Sequence, residues 1–300
     1  MATINVRWNR LSAWPVFLSM LATGLIGMRP DTGQAADDVA PKPVVLAAGE
    51  DLFKIGPLLH EDRFENLDRW SVQVESTDAD VPEARIRAAD HKLDAFVPGR
   101  GATIWFKPKL EGAVAIVYQV RCPKSPETPG VVPRDVNNFW HMSAKPDALL
   151  RRNRFTGGFG SYHELQGYYS STGGRDNTTT RFRRYPREAK GRPADHIALD
   201  HRDHQEPYLI TPGKTHTVQL VAFDGMAQYI VDGQLVYQIA YGDTVRVKHV
   251  DNGETRFSKV VYTRERFPGY TEGWFGFRMT TTHHVYSNFR VYRLNPVSSQ

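Results

Sequence analysis

Short runs that are either mostly apolar or alternate between apolar and polar residues follow one another along the chain from residue 58 to residue 293. A period of two places successive side chains on opposite faces, which is typical of a strand with one buried face. Gly, Pro, Asn and Asp separate the runs, and no segment carries the stripe of an amphipathic helix. The predicted strands are Leu58–Phe64, Ser71–Glu75, Ala84–Ala88, Lys92–Phe96, Ala102–Phe106, Ala113–Arg121, Asn137–Ser143, Ser161–Ser170, Thr178–Tyr185, Thr215–Phe223, Ala227–Val231, Leu235–Ile239, Trp274–Thr280 and Val285–Arg293.

Two Asp-Gly pairs give the clearest topological signal. Asp224-Gly225 and Asp232-Gly233 separate the apolar runs Val218–Phe223, Ala227–Val231 and Leu235–Ile239. Asp-Gly favours tight hairpins because glycine readily adopts the positive φ that such turns require. The pattern therefore predicts a meander of three antiparallel strands within an all-β fold.

Residues 186–213 and 242–269 are polar and charged, and few of their residues follow the alternation of a strand. We expect both to be long loops. Long loops in a compact β domain are often functional.

The first 36 residues have the composition of an export signal. Arg7 and Arg10 precede the mostly apolar stretch Leu11–Met28, and small residues around Ala35 offer a cleavage point. Pro15 and several polar residues interrupt this stretch, which argues against a membrane span. We predict a signal peptide over residues 1–36, secretion or periplasmic delivery, and no stable membrane span after cleavage.

The remaining chain has the length of one β sandwich. Residues 37–57 contain Pro41 and Pro43 in extended spacing and are interpreted as a linker. Residues 58–296 then form a single predicted domain, long enough to bury a sizeable core. Cys122 is the only cysteine, so no disulfide within the chain is expected.

Charge adds a hint about the partner. The chain carries 38 Lys and Arg against 33 Asp and Glu, a net charge of +5. Basic residues gather in two clusters, within residues 151–154 and 181–192. Local positive potential favours an anionic partner. Export separates the protein from nucleic acid, and we predict no nucleic-acid partner.

Several segments resemble the concanavalin A-like superfamily. The double Asp-Gly meander matches a unit near the C-terminal end of that fold, Phe64–Trp70 looks like its opening strand, and Glu272–Arg278 with Ser287–Arg293 looks like its paired final strands. The resemblance implies a jelly-roll sandwich of two antiparallel sheets.

Four longer motifs narrow the resemblance, namely Asn137–Trp140, His163–Tyr169, Asn177–Tyr185 and Tyr270–Arg278. Together they look like a family of secreted bacterial proteins of uncharacterised function whose members accompany polysaccharide degradation. The opening and closing strands are also similar, more distantly, to the 3-keto-disaccharide hydrolase family. The family resemblance implies a polysaccharide or oligosaccharide partner but no particular reaction.

Three predicted strands carry polar and aromatic groups where a purely structural sandwich would bury aliphatic residues. Alternation places Arg181, Arg183 and Tyr185 on one face. Aromatic rings stack on sugars, and guanidinium groups pair with carboxylates or sulfates. The expected glycan-binding residues are Trp140, Glu164, Gln166, Tyr168, Trp274 and Arg278.

This set of residues suggests β-elimination on a uronic-acid glycan, which needs a carboxylate neutraliser, a base and an acid. Tyr and His are the usual acid and base of jelly-roll polysaccharide lyases, so the resemblance implies the same roles here. Asn138, Arg181 and Arg183 would neutralise the carboxylate. The base would be His163 or His141, and the acid Tyr162 or Tyr185.

Two other functions remain open at this point. A non-catalytic carbohydrate-binding module needs only the aromatic and hydrogen-bonding side chains. Hydrolysis needs two carboxyl groups across the scissile bond, and Glu164 is the main candidate. The chain lacks the Glu-x-Asp-x-x-Glu spacing of laminarinase-like jelly rolls, so that mechanism ranks lower.

No cofactor or catalytic metal is predicted, although a structural Ca²⁺ is common in this fold. Metal sites at His201 and His204 and at the adjacent His283 and His284 have weak support, since His-x-x-His outside a helix lacks the one-face geometry of a metal pair. A phosphate loop, a Gly-x-Ser-x-Gly elbow and a Cys-x-x-Cys pair are absent.

Overall fold

A computed structural model describes residues 40–124, 130–144, 149–150, 155–187, 196–200, 208–251 and 254–297. The predicted signal peptide and the basic cluster within 151–154 lie outside the described residues. So do Lys190, Arg192, His201 and His204.

The described residues form eighteen strands and three short helical segments. The strands are β1 Phe53–Asp62, β2 Trp70–Val74, β3 Arg85–Ala89, β4 Lys92–Val97, β5 Ala102–Phe106, β6 Leu110–Glu111, β7 Val114–Arg121, β8 Val136–Ser143, β9 Gln166–Gly173, β10 Thr179–Tyr185, β11 His196–Asp200, β12 Thr215–Phe223, β13 Met226–Val231, β14 Gln234–Ile239, β15 Thr244–Asp251, β16 Glu254–Val261, β17 Glu272–Met279 and β18 Thr282–Pro296. The helical segments are α1 Gly49–Leu52, α2 Gly174–Asn177 and the 3₁₀ helix Phe159–Tyr162.

The strands make two antiparallel sheets. One sheet has eight strands in the order β14-β13-β12-β7-β18-β4-β3, with β1 also paired to β18. The other has ten strands in the order β16-β15-β11-β10-β9-β8-β17-β5-β2, with β6 also paired to β17. This sandwich confirms the predicted all-β jelly-roll fold.

The main core lies between the sheets and is rich in aromatic rings. Phe277 from the ten-stranded sheet stacks on Tyr286 from the other sheet, with ring centroids 4.0 Å apart. A second cluster covers the opposite face of the ten-stranded sheet, which we call the outer face. It includes Trp105, Phe139 and Tyr169. Apolar side chains on both faces explain why these strands show weak alternation in the sequence.

The double Asp-Gly meander is confirmed. β12 pairs with β13, and β13 with β14, both antiparallel. Asp224 and Gly225 have φ of 36° and 83°, and Asp232 and Gly233 have φ of 50° and 74°. Positive φ at both central residues is what a two-residue hairpin requires.

The predicted strand Ser161–Ser170 is wrong in its first half. Ser161 and Tyr162 belong to the 3₁₀ helix, and β9 begins only at Gln166. The alternation of polar and aromatic residues before Gln166 comes from a turn. Tyr162 and Tyr168 therefore do not share a face, because Tyr162 joins the outer-face cluster whereas Tyr168 joins the main core.

The two stretches expected to be loops contain three strands. β11 lies in the first stretch, and β15 and β16 form a hairpin in the second. In β15, Val245 and Val247 are buried and alternate with Arg246 and Lys248. The hairpin contains many charged residues because only one of its faces packs on the core.

The ends of the domain also differ from the expectation. β17 and β18 belong to different sheets and are not a pair. Phe64–Trp70 mostly connects β1 to β2, and β1 begins at Phe53, before the predicted domain start at Leu58. No helix in the described part of the chain is long and apolar enough to cross a membrane.

Buried His284 predicts a loss of stability in mild acid. Its Nε2 donates to the Arg134 carbonyl at 2.8 Å and its Nδ1 accepts from the Tyr286 hydroxyl at 2.8 Å. Burial lowers the pKa of His284 to about 4. Because the unfolded pKa is about 6.5, the unfolded state binds the extra proton first, and stability falls by about 1.4 kcal/mol per pH unit between these values.

Urea unfolding of wild type and His284→Gln from pH 7 to pH 4 measures this effect. The variant should be less stable at pH 7, and its stability should depend less steeply on pH by about one proton. Equal slopes for the two proteins would contradict the assignment.

Candidate functional site

A cleft of about 480 Å³ opens on the outer face over β9, β10, β11 and the β15–β16 hairpin. Its aromatic lining is Phe159, Tyr169, Tyr185, His196 and Phe257. Its charged lining is Arg175, Arg181, Arg183, Arg187 and Lys248. The lining residues that the structure describes include no carboxylate. The cleft is therefore strongly positive and flanked by rings.

Strand register brings these side chains together. Arg183 lies opposite Tyr169 of β9 on one side and opposite Ala198 of β11 on the other. His196 lies opposite Lys248 of β15. Because cross-strand partners point to the same face, one row of residues runs through β9, β10 and β11.

The guanidinium of Arg183 is held in place by the backbone. Its Nη1 donates to the carbonyl oxygens of Phe182 at 2.8 Å and Leu199 at 2.7 Å. A side chain fixed in this way loses little conformational freedom when an anion binds. The Arg183 guanidinium is thus preorganised at the cleft.

Tyr185 and His196 form an aromatic pair in the cleft, with ring centroids 5.7 Å apart. His196 Nδ1 donates to the Arg184 carbonyl at 3.2 Å, which leaves the lone pair on Nε2. Desolvation, reinforced by the charges of Arg183 and Arg187, lowers the pKa of His196 to about 3. Desolvation raises the pKa of Tyr185 well above its ordinary value. A neutral imidazole and a protonated phenol therefore face the same cleft.

Three of the predicted site residues meet in this cleft, namely Arg181, Arg183 and Tyr185. His163 lies at its edge, where Arg187 Nη1 donates to His163 Nε2 at 3.3 Å and Arg187 N donates to the His163 carbonyl at 2.8 Å.

Asn138, Trp140 and Tyr168 point into the main core and not toward the cleft. The Asn138 side-chain oxygen accepts from the Tyr118 hydroxyl, and its amide nitrogen donates to Ser170 Oγ at 3.2 Å. All three are at most 1% exposed. These three side chains therefore do not reach the cleft, because alternation separates the two faces of a strand without telling which one packs against the other sheet.

His141 and Tyr162 are buried outside the cleft lining. His141 sits at a bulge in β8 with φ of 49°, and its Nδ1 donates to the Tyr270 carbonyl at 2.8 Å. Burial lowers the pKa of His141 to about 4. The Tyr162 hydroxyl donates to Gln73 Oε1 at 2.6 Å in the outer-face cluster. The side chains of His141 and Tyr162 therefore do not reach a ligand in the cleft.

The other predicted binding residues also lie outside the cleft lining. Glu164 and Gln166 are exposed. Trp274 is 6% exposed, and its indole nitrogen donates to the Lys107 carbonyl at 3.2 Å. Arg278 is 2% exposed beneath Phe159.

His196, Lys248 and Phe257 were missed because they lie in the stretches expected to be loops. A sequence signal was present in the short alternations at His196-x-Ala198 and Val245-x-Val247, which belong to two strands near one end of the ten-stranded sheet. Among the described residues, no group of three or more His, Cys, Asp and Glu side chains converges on a metal position.

A family profile described as Domain of unknown function (DUF6250) matches residues 97–250, about half of the chain. The chain belongs to the DUF6250 family. The matched range of this DUF6250 protein includes β8–β11 and β15 and therefore most of the cleft. No curated protein sequence matches the chain.

Solved structures are similar to this DUF6250 protein at low sequence identity. A Bacillus subtilis protein of unknown function with a galectin-like fold has a TM-score of 0.50 and 16% identity, covering 81% of this chain and 98% of its own. The catalytic domain of PdAgaC has a TM-score of 0.47 and 11% identity, covering 88% and 99%. The carbohydrate-binding module CBM66 from Bacillus subtilis has a TM-score of 0.43 and 11% identity, covering 75% and 95%. At such identities only the fold is comparable.

Proposed function

We propose that this protein is a polysaccharide lyase that binds an acidic, uronic-acid glycan in the cleft and cleaves it by β-elimination. The observation that carries the proposal is the Tyr185–His196 pair in a cleft whose described charged residues are all cationic. Guanidinium groups neutralise a uronate carboxylate and make the neighbouring carbon acid stronger.

The residues of the cleft supply each part of the elimination. Arg181 and Arg183 hold the carboxylate, and His196 Nε2 takes the C5 proton. The C4–C5 double bond forms as the C4–oxygen bond breaks, and the leaving oxygen receives the Tyr185 proton. A bound carboxylate offsets the positive charge that helps to lower the pKa of His196, so the base strengthens when substrate binds.

A second candidate is a glycan-binding module without catalysis. Two observations favour binding without catalysis. The pKa of His196 is low, and His196 and Tyr185 are only 3% and 1% exposed. Hydrolysis through Glu164 has less support, because this exposed carboxylate is outside the cleft lining.

The experiment that tests the proposal incubates the protein with a panel of uronic-acid polysaccharides. A lyase produces unsaturated ends that absorb ultraviolet light, whereas a hydrolase produces reducing ends without that absorbance. Binding to a panel member without either product identifies the binding module. Absence of both binding and product would refute an acidic-glycan function.

Arg181→Gln should weaken binding of the active polysaccharide about 10- to 150-fold, since a charge-assisted hydrogen bond contributes about 1.5–3 kcal/mol. Isothermal titration at low salt measures the Kd. Arg87→Gln is the matched control, because Arg87 is exposed on the eight-stranded sheet and pairs with Asp94 at 2.9 Å. Equal losses in the two variants would refute a specific role for Arg181.

We also propose that the mature protein acts in the periplasm or outside the cell, where polysaccharides are encountered, after removal of residues 1–36. The elimination described above requires no cofactor. Detection of a mature N-terminus near residue 37 in the exported fraction would support this location, and an uncleaved cytoplasmic protein would contradict it.

A further inference from the structure

A row of polar side chains crosses the outer face next to the cleft. Strand register joins Gln73, Thr103, Arg278, Asn137, Ser171 and Arg181 as successive cross-strand partners. Neighbouring strands lie about 4.8 Å apart, so the backbones of Arg278 and Arg181 are about 14 Å apart along this row. The row therefore continues from the cleft toward β17.

The middle of the row contains buried polar atoms without partners. Arg278 is 2% exposed and Asn137 is 4% exposed. Arg278 Nε and Asn137 Oδ1 have no hydrogen-bond partner among the described residues. Buried polar groups are nearly always hydrogen-bonded, and exceptions often belong to sites that accept a ligand or ordered water.

Arg278 is only weakly paired with a counterion. Its Nη1 donates to the Met279 carbonyl at 3.0 Å, and the Glu75 carboxylate lies 3.8 Å from its Nη2. Asp135 is the other nearby acid, and Arg134 already binds it at 2.8 Å. A buried guanidinium in this state is stabilised by any anion that reaches it.

Phe159 separates Arg278 from the cleft. Its ring lines the cleft, and the Arg278 guanidinium lies 5.7 Å from the ring centroid. Glycines flank this residue on both sides. Gly157 is packed against the β2 backbone, where an added Cβ would lie 2.5 Å from Glu75 N, whereas Gly160 has open space around it. The segment is thus packed tightly at Gly157, whereas the backbone of Gly160, in the first turn of the 3₁₀ helix, faces open space.

We propose that Arg278 forms a second anion subsite beneath Phe159, reached when this ring swings aside, and that the neighbouring Asn137 Oδ1 accepts a hydrogen bond from a hydroxyl of the same sugar. The ligand is then an oligomer with acidic groups on at least two sugar units, and not a single acidic sugar. The chemical class of the ligand rests on the proposed function, whereas the access to Arg278 does not.

Reaction with phenylglyoxal, followed by peptide mass spectrometry, tests access to Arg278. Arg184 is the matched control, because it is 4% exposed and held between Tyr270, 4.3 Å from its guanidinium, and the Pro268 carbonyl at 2.7 Å. Arg278 should react at least tenfold faster than Arg184 in wild type, and faster still in Phe159→Ala. Continued protection of Arg184 in the variant shows that the fold is intact.

Tetragalacturonate is the probe for the anion subsite. It should slow the modification of Arg278 at least fivefold in Phe159→Ala, and galacturonate at the same carboxylate concentration should not. Equal protection of Arg278 and Arg184 in both proteins would overturn the gated access. Rapid modification that the tetramer does not slow would overturn the subsite. Neither readout requires turnover, so failure of this inference is distinguishable from failure of the lyase proposal.

Discussion

Tyr185→Phe should lower kcat by about 100- to 10,000-fold, the range that a general acid contributes, and leave the Kd for the polysaccharide within about twofold. The substitution removes one hydroxyl and keeps the ring, which stacks on Tyr169 at 6.0 Å between centroids. Because burial raises the pKa of Tyr185 above its ordinary value, the phenol stays protonated at neutral pH and can donate to the leaving oxygen.

Tyr262→Phe is the matched control for this experiment. Tyr262 is also a buried tyrosine, but it packs in the main core and lies outside the cleft lining. Its loss of a hydroxyl should change kcat less than about twofold. A Tyr185→Phe variant that keeps full turnover would show that another group protonates the leaving oxygen. A variant that loses binding and turnover together would indicate a binding role.

Phe277→Ala should destabilise the domain by about 3–5 kcal/mol, as is typical of deleting a buried phenylalanine ring. Phe277 is fully buried and contacts the rings of Tyr286 at 4.0 Å, Phe275 at 4.8 Å and Tyr118 at 4.9 Å. It joins the two sheets, since Tyr118 and Tyr286 belong to the eight-stranded sheet. The free energy of unfolding of a domain is only about 5–15 kcal/mol, so this loss is a large part of its stability.

Urea unfolding measures the loss as a lower midpoint at unchanged slope. Phe257→Ala is the matched control, because the same ring is removed from a side chain that is 44% exposed at the edge of the ten-stranded sheet. Phe257→Ala should lower the free energy of unfolding by less than about 1 kcal/mol. Similar losses for the two variants would contradict the assignment of Phe277 to the centre of the core.

The sequence was sufficient where local chemistry decides the structure. The turns at Asp224-Gly225 and Asp232-Gly233 require positive φ, and alternation between these turns settles the pairing of three strands. The same period of two correctly placed Arg181, Arg183 and Tyr185 on one face of β10. The signal peptide, export and the catalytic roles stay predictions.

The sequence was insufficient where the answer depends on distant segments. Asn138 and Asn137 are equally polar neighbours in β8, but Asn138 faces Tyr118 of the other sheet and Asn137 faces outward. Both faces of this strand carry aromatic residues, so hydrophobicity does not indicate which one meets the second sheet. The alternation of residues before β9 was misinterpreted as part of a strand for a similar reason. Tyr162 lies in a 3₁₀ helix, and tertiary packing buries its side chain.

Alternation along the sequence thus determined an all-β sandwich and the common face of the two arginines and Tyr185. Only the tertiary structure decided that this face lies outside the main core, that β11 brings His196 beside Tyr185, and that Phe159 covers Arg278. Side-chain direction within one strand is a local property of the backbone. The pairing of strands that are far apart in the chain depends instead on the packing of the whole domain.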